Sequence, residues 1–236
     1  MTKYVIANWK MRVSKPQVFP FLQGLENASP FRFDVIVCPP FPFLEMCGGY
    51  SSFSLGAQTC SDVLEGPYTG EVSAVFLKDV GCTYVLVGHS ERRTCYHETN
   101  GIVREKMYRV LEQGLIPILC IGEPLGVYEA GQARSYLVQQ LKESLPLKEE
   151  KILVAYEPLW AIGTGKTPSL QDIEQTHIFL QQSLAELGWL QTPLLYGGSV
   201  GPENAKHILS LPSVAGVLVG GASTSLETLL PILKDS

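Results

Sequence analysis

The sequence lacks any long uninterrupted apolar segment. None of its apolar runs approaches the ~18 residues that a membrane-spanning helix requires, so we expect no transmembrane segment. The first ten residues already resemble a β-strand, and they lack the long apolar region and small-residue cleavage site of a secretory signal peptide. We therefore expect a cytoplasmic protein.

An excess of basic charge is also missing. The chain has 18 Lys and Arg residues against 23 Asp and Glu residues, which gives a formal net charge of −5. Proteins whose main partner is nucleic acid or an anionic membrane use a basic surface to bind it. We expect neither partner here, although a few local donors could still hold a small anionic ligand.

Closely paired cysteines are absent as well. The six cysteines are scattered, and the chain has no Cys-x-x-Cys motif of the kind used for redox chemistry or metal binding. Cys38 and Cys120 lie at the ends of apolar, strand-like runs. We therefore predict reduced and mostly buried thiols.

The chain is dominated by short apolar runs that alternate with segments of helical spacing. The runs are Tyr4–Ala7, Asp34–Cys38, Phe53–Gly56, Tyr84–Val87, Ile116–Ile121, Ile152–Tyr156, Leu194–Tyr196 and Val214–Val219. Because no linker or composition shift divides the chain, this alternation predicts a single (β/α)8 barrel domain over residues 1–236. A doubly wound open sheet is the alternative, and it is disfavoured because no Gly-x-Gly-x-x-Gly motif follows the first run.

The stretch from Lys151 to Lys166 contains the most suggestive polar residue. An apolar run ends there at Glu157 and Pro158, and four more apolar residues precede Gly163. A carboxylate beneath an apolar flap is typical of a catalytic site that excludes water. A strand-end glutamate beside an ordinary buried loop explains the same stretch equally well.

Further polar residues follow other predicted strands. Asn8 and Lys10 alternate after the first, so both face one side, and His89 follows the fourth beside a predicted helix start. A helix amino terminus disfavours imidazolium, so a neutral His89 could donate a hydrogen bond to a substrate oxygen. The competing interpretations are a solvated strand end for the first pair and a capped helix with a surface basic pair, Arg92 and Arg93, for the second.

Paired glycines follow the seventh and eighth predicted strands. Gly197 and Gly198 precede Ser199 in one loop, and Gly220 and Gly221 form the other. Glycine lets backbone N–H groups approach a ligand closely, and barrels commonly bind phosphate in these two loops. The pattern therefore favours a phosphorylated substrate.

Together these residues resemble the triosephosphate isomerase family, and the resemblance runs over nearly the whole chain. The matching motifs are Ala7–Met11, Gly56–Gln58, Thr69–Glu71, Gly88–Arg93, Cys120–Glu123, Ala155–Lys166, Tyr196–Val200 and Leu218–Ala222. The resemblance implies interconversion of dihydroxyacetone phosphate and glyceraldehyde 3-phosphate without a metal or cofactor.

The resemblance also implies a role for each matching residue. Glu157 would be the base, neutral His89 the electrophile, and Lys10 with Asn8 the groups that stabilise the enediolate. The phosphate would be held by Gly163, Ser199, Gly220 and Gly221. Glu91 would act through Lys10 or His89 rather than by direct proton transfer.

The segment from Thr59 to Glu71 matches the protruding loop through which the family forms homodimers, so a homodimer is expected. As an isolated segment it would instead be a solvated Ω-type loop. A barrel that binds phosphate or a partner without turnover is the rival function. Another phosphosugar barrel enzyme is a third, disfavoured because the flap and the Gly88–Glu91 motif match together.

Some positions depart from the family pattern. Arg12 stands where Asn is usual, and Cys95–His97 where Phe-Gly is common. Gln181 and Ala215 occupy the places of an Arg and an Asp that commonly pair behind the phosphate loops. Because both partners are lost together, we expect those loops to stay ordered.

Overall fold

The fold is a closed barrel of parallel strands surrounded by helices. The structure is a computed structural model that describes residues 3–147, 150–161 and 168–235. Each strand pairs with its neighbours in sequence order, and the first pairs with the last, which closes the barrel. The predicted (β/α)8 barrel is therefore confirmed.

All eight predicted strands are present. They are β1 (Tyr4–Asn8), β2 (Asp34–Cys38), β3 (Ser54–Ala57), β4 (Tyr84–Val87), β5 (Ile116–Ile121), β6 (Leu153–Tyr156), β7 (Leu194–Tyr196) and β8 (Gly216–Val219). They read as continuous apolar runs because side chains on one face fill the barrel interior and those on the other face pack against helices.

Helices cover the barrel and lie between successive strands, except between β2 and β3, where the described chain forms two short 3-10 turns, Phe41–Phe43 and Glu45–Cys47. The helices are α1 (Lys15–Ala28), α2 (Ala74–Asp79), α3 (Ser90–Cys95), α4 (Asn100–Glu112), α5 (Leu125–Glu129), α6 (Ala133–Ser144), α7 (Leu170–Glu186), α8 (Ala205–Ser210) and α9 (Leu226–Asp235). On α4, Val103, Met107 and Val110 are buried at helical spacing, as expected of a segment between two strands. No helix in the described part of the chain is long and apolar enough to cross a membrane.

The core has two layers. Side chains such as Ile6, Leu86 and Leu195 fill the barrel interior, and a larger cluster lies between the barrel and its helices. Cys38 and Cys120 belong to the interior layer. All six cysteines are unpaired, and every one except Cys95 is buried, as predicted.

The carboxyl ends of the strands gather the polar residues at one face of the barrel. Asn8 ends β1, His89 follows β4 by two residues, and Glu157 comes directly after β6. Gly197 and Gly220 come directly after β7 and β8. Because parallel strands end at the same face, residues far apart in sequence meet there.

Candidate active site

A pocket of about 330 Å³ opens at the carboxyl face of the barrel. Its walls come from the ends of β1, β4, β6, β7 and β8 and from the loops that follow them. The lining residues are Asn8, Lys10, His89, Glu157, Gly197, Gly198, Ser199, Val200, Glu203, Leu218, Gly220, Gly221 and Ala222.

At the floor of the pocket, Glu157 and His89 form a buried pair. The Nε2 atom of His89 lies 3.0 Å from Oε1 of Glu157. The other carboxylate oxygen accepts the backbone N–H of Ser90 at 2.9 Å. Only 2% of Glu157 and 5% of His89 is exposed, so both groups are nearly removed from bulk water.

A tight turn places His89 at the start of α3. Gly88 has a φ of +69°, a conformation that favours glycine, and the backbone turns away from the direction of β4 at this residue. His89 itself is the N-cap, and its Nδ1 accepts the backbone N–H of Glu91 at 3.3 Å. Since Nδ1 accepts a hydrogen bond, the proton of the neutral imidazole is on Nε2, which faces the pocket.

The two groups shift one another's ionisation. Burial disfavours the charged form of His89, but the adjacent Glu157 carboxylate outweighs it and raises the pKa of His89. Burial likewise works against the ionised carboxylate, but the His89 imidazole and the Ser90 amide lower the pKa of Glu157 overall. Glu157 is therefore an ionised carboxylate at neutral pH, as a general base must be.

Lys10 supplies positive charge at the rim of the same pocket. Its Nζ lies 2.7 Å from Oε1 of Glu91, and its side chain passes close to Gly220. The residue has a positive φ of 53°, and its backbone N–H donates to Oδ1 of Asn8. Gln58 donates from its side chain to the carbonyl of Lys10 at 2.8 Å. Hydrogen bonds to both the backbone N–H and the carbonyl of Lys10 therefore hold it in this strained conformation.

Backbone and hydroxyl groups form the opposite wall. Gly221–Ser223 makes one turn of 3-10 helix directly after β8 and Gly220. Ser199 follows the other glycine pair, and its hydroxyl donates to the carbonyl of Ala161 at 2.9 Å. Glycines and a helix start are suited to an anion, because their N–H groups can approach it without steric interference from side chains.

Comparison with known proteins assigns the family. The family model described as triosephosphate isomerase matches residues 3–236. The chain belongs to the triosephosphate isomerase family. The triosephosphate isomerase of Thermus thermophilus is 43% identical over 98% of this chain and 97% of its own length. That of Chlamydia trachomatis serovar D is 40% identical over 99% and 89%. The crystal structure of the Bartonella henselae enzyme superposes with a TM-score of 0.90 at 34% identity and covers 98% of both chains.

Most of the residues singled out by the family resemblance meet in this pocket. The structure brings together Asn8, Lys10, His89, Glu157, Ser199, Gly220 and Gly221. Gly163 and the rest of 162–166 lie outside the described residues. Glu203 also lines the pocket, and no signal in the sequence indicated it. In the part of the chain that the structure describes, no cluster of three or more His, Cys, Asp or Glu residues could hold a metal ion.

Behind the glycine loops, where the family resemblance suggested an Arg and Asp pair, the chain makes a different contact. The side-chain amide of Gln181 donates to the carbonyl of Ser213 at 3.0 Å, and the hydroxyl of Ser213 donates to Glu174 at 2.5 Å. Both partners of Ser213 lie on α7, about two turns apart. The segment that leads into β8 is therefore attached to α7 without an ion pair between 181 and 215.

The other three histidines lie outside the pocket. His177 is completely buried on α7, and His207 is exposed on α8. His97 is exposed and has a φ of +56°. Glycine adopts this left-handed conformation more readily than histidine does.

The basic pair at Arg92 and Arg93 is not the surface pair that the competing interpretation supposed. Arg92 pairs with the buried Glu98, whereas Arg93 turns inward and donates to the carbonyl of Gly88, just after β4, and to that of Cys120 in β5. Sequence gave no means of separating these two neighbours.

Proposed function

We propose that the chain interconverts dihydroxyacetone phosphate and D-glyceraldehyde 3-phosphate through an enediolate. The observation that carries this proposal is the contact between an ionised, buried Glu157 and the Nε2–H of His89 in a pocket walled by glycine loops. The isomerisation needs a base for a carbon-bound proton and a donor for the neighbouring oxygen, and these two groups supply them.

Glu157 acts as the base after leaving its resting partners. Its two oxygens are bonded to His89 and to the Ser90 amide, so neither is directed at a substrate carbon in this arrangement. A substrate that takes over the hydrogen bond of His89 frees Oε1. The carboxylate then removes a proton from one carbon and returns it to the adjacent carbon.

His89 and Lys10 stabilise the charge that forms on the substrate oxygens. Once Glu157 has moved, the influence that raises the pKa of His89 is reduced, and the Glu91 amide at Nδ1 keeps the imidazole neutral. A neutral donor can pass its proton to the enediolate oxygen and recover it. Lys10 adds positive charge beside the same oxygens, and Asn8 donates beside it.

The phosphate group is held by the opposite wall. Ser199, Gly220 and Gly221 line this wall, and Gly163 completes the set expected from the family pattern. The Ser199 hydroxyl exchanges its bond to Ala161 for one to the phosphate. Exclusion of water from the pocket would protect the enediolate, which loses phosphate readily in water.

A coupled assay on the purified chain, with and without EDTA, tests this proposal. We expect turnover of both triose phosphates that EDTA does not change. Glu157→Gln should lower kcat by about 10³-fold, because it removes the base but leaves the shape of the side chain. The same substitution should lower the pKa of His89, which an NMR titration of the imidazole measures.

The matched control is Glu186→Gln on the exposed end of α7, which should leave kcat and the His89 titration unchanged. Turnover that survives Glu157→Gln would refute the assignment of the base. Phosphate binding without any turnover by the unaltered chain would instead support the rival, a non-catalytic phosphate-binding barrel.

We also propose a cytoplasmic homodimer built through the loop from Thr59 to Glu71. The loop is closed at its base by a hydrogen bond between Ser61 and Val72, and Tyr68 near its tip is 51% exposed. Met11, next to Lys10, is 95% exposed, so each protomer presents apolar groups beside its own pocket. Sedimentation of the intact chain against a Tyr68→Asp variant tests this: a mass of one protomer in both cases would exclude the dimer.

A further inference from the structure

We propose that Arg93 is a positioning residue for the reaction: its guanidinium sets the separation of the two peptides that carry His89 and Glu157. This role rests on the proposed isomerase function and extends it to a residue that does not line the pocket. Arg93 lies on α3, three residues beyond Ser90, with its side chain directed away from solvent.

Arg93 bridges the ends of two strands where their own pairing stops. The ladder between β4 and β5 ends at Val87 and Leu119. One residue further along, Nε of Arg93 donates to the carbonyl of Gly88 at 2.7 Å, and its NH2 group donates to the carbonyl of Cys120 at 3.2 Å. The side chain therefore continues the connection between the strands beyond their last paired residues.

The bridged carbonyls lie next to the catalytic pair on both sides. Gly88 is bonded covalently to His89. Cys120 precedes Ile121, whose carbonyl accepts the backbone N–H of Glu157 at 2.7 Å. Since His89 and Glu157 also touch each other at 3.0 Å, these contacts form a closed ring through Arg93. Removing Arg93 opens the ring on the side opposite the substrate.

The geometry calls for a guanidinium in particular. A planar fork with several N–H groups can donate in fixed directions at once, whereas an ammonium is a single point. A third group of Arg93, NH1, donates to Oδ1 of Asn100 at 2.6 Å. The turn at Gly88 is shaped around this fork, because a Cβ at that glycine would stand 2.9 Å from NH2 of Arg93.

The charge of Arg93 is compensated indirectly. Its described acceptors are carbonyls, a hydroxyl and an amide, none of which is charged. Asn100 accepts from Arg93 and donates to the exposed carboxylate of Glu143 at 2.7 Å. An anion placed directly on Arg93 could compete for it with the two carbonyls, whereas the amide relay leaves both bonds to the strand ends intact.

Substitution of Arg93 in the full chain tests this role. Arg93→Ala should lower kcat by about tenfold or more while KM for the triose phosphate changes by less than about twofold, because the substrate contacts are untouched. Millimolar guanidinium chloride should restore part of kcat to this variant alone. The Nε2–H resonance of His89, measured by NMR without substrate, should move from its position in the unaltered protein.

The control is Arg104→Ala. Arg104 lies on α4 and donates to the carbonyl of Lys142 on α6, so the substitution removes an arginine hydrogen bond without touching the end of β4 or β5. It should lower the melting temperature without changing kcat or the His89 resonance. Should Arg93→Ala fail to fold, Arg93→Lys keeps the charge and most of the volume and should still lose kcat, since it cannot bond both carbonyls.

A folded Arg93 variant with wild-type kcat and an unmoved His89 resonance would overturn the positioning role. An equal loss of kcat in Arg104→Ala would do so too, because it would reflect general loosening of α4 and α6. Absence of turnover in the unaltered protein would refute the isomerase proposal instead, and the resonance would still report on Arg93.

Discussion

Two buried histidines, His89 and His177, lie in opposite electrostatic surroundings. His89 is bonded to a carboxylate, and that partner raises its pKa. His177 is packed between the rings of Tyr156 and Tyr196, and burial lowers its pKa to about 4. Burial is similar at the two positions, so the presence of an anionic neighbour decides which histidine can exchange protons near neutral pH.

The comparison also separates function from stability. His89 has one nitrogen toward the pocket and one toward a backbone donor, so both of its nitrogens are used. In His177, Nδ1 lies 3.4 Å from the carbonyl of Ser213, and Nε2 has no partner among the described residues. A histidine surrounded in this way holds α7 against the segment that leads into β8, provided that it stays neutral.

The largest expected effect follows from keeping His177 neutral. The unfolded chain binds a proton at this histidine below about pH 6.5, whereas the folded chain resists until about pH 4. As the pH falls through this window, His177 should therefore remove up to about 3 kcal/mol from the free energy of unfolding. Urea unfolding at several pH values and one protein concentration measures this loss.

The histidine contribution is isolated with His177→Phe, which keeps an aromatic ring in the same space. The difference in stability between the two proteins should shift in favour of the variant as the pH is lowered from 7 to 4. The exposed His207 supplies the control, since His207→Phe should follow the unaltered protein. Parallel pH dependence of the unaltered protein and His177→Phe would contradict the proposed contrast.

The next prediction disturbs the other histidine through its carboxylate. A Cβ added at Gly197 would stand 2.9 Å from Cγ of Glu157 and 3.3 Å from the carbonyl of Tyr156. Gly197→Ala should therefore push Glu157 away from His89 and lower kcat by about 100-fold, or about 2.7 kcal/mol. The pKa of His89 should fall as its carboxylate withdraws.

Steady-state kinetics and the His89 titration check this prediction together. The matched control is Gly126→Ala on α5, where an added Cβ meets nothing within 4 Å. A Gly197→Ala protein with unchanged kcat would show that the pair tolerates displacement, and the close fit of this glycine would then have no catalytic consequence.

The barrel and most residues of the candidate active site could be predicted from the sequence. Parallel strands buried on both faces leave continuous apolar runs, so all eight strands could be located. Glu157 and Lys10 could be predicted as site residues for a related reason, since residues at the carboxyl ends of barrel strands converge at one face. His89 was predicted to be neutral from its place at a helix start, but its direct contact with Glu157, which raises the pKa of the imidazole, could not be predicted from the sequence.

Other features depend on side-chain directions that no local pattern encodes. Arg92 and Arg93 are adjacent and chemically identical, yet one pairs with Glu98 and the other bridges two strand ends. Val13 adopts a φ of +64°, which is disfavoured for a β-branched residue and carries no sequence signal. Such features arise from tertiary packing, which overrides local preference.

The smallest expected effect concerns Ala215, the position at which the family resemblance suggested an aspartate. Ala215 lies two residues beyond Ser213, and Gln181 already bonds the Ser213 carbonyl. Ala215→Asp would place a carboxylate in a partly buried position opposite an amide, so stability should be unchanged or lower by about 1 kcal/mol at most. Adding Gln181→Arg should recover the loss, because it restores a charged partner. Thermal melts of the single and double variants distinguish these outcomes. A clear rise in melting temperature from Ala215→Asp alone would contradict this prediction, because it would mean that the groups around position 215 already stabilise a carboxylate. This region would then differ from the surroundings of His89 only in having no anion bound there, and not in its ability to stabilise one.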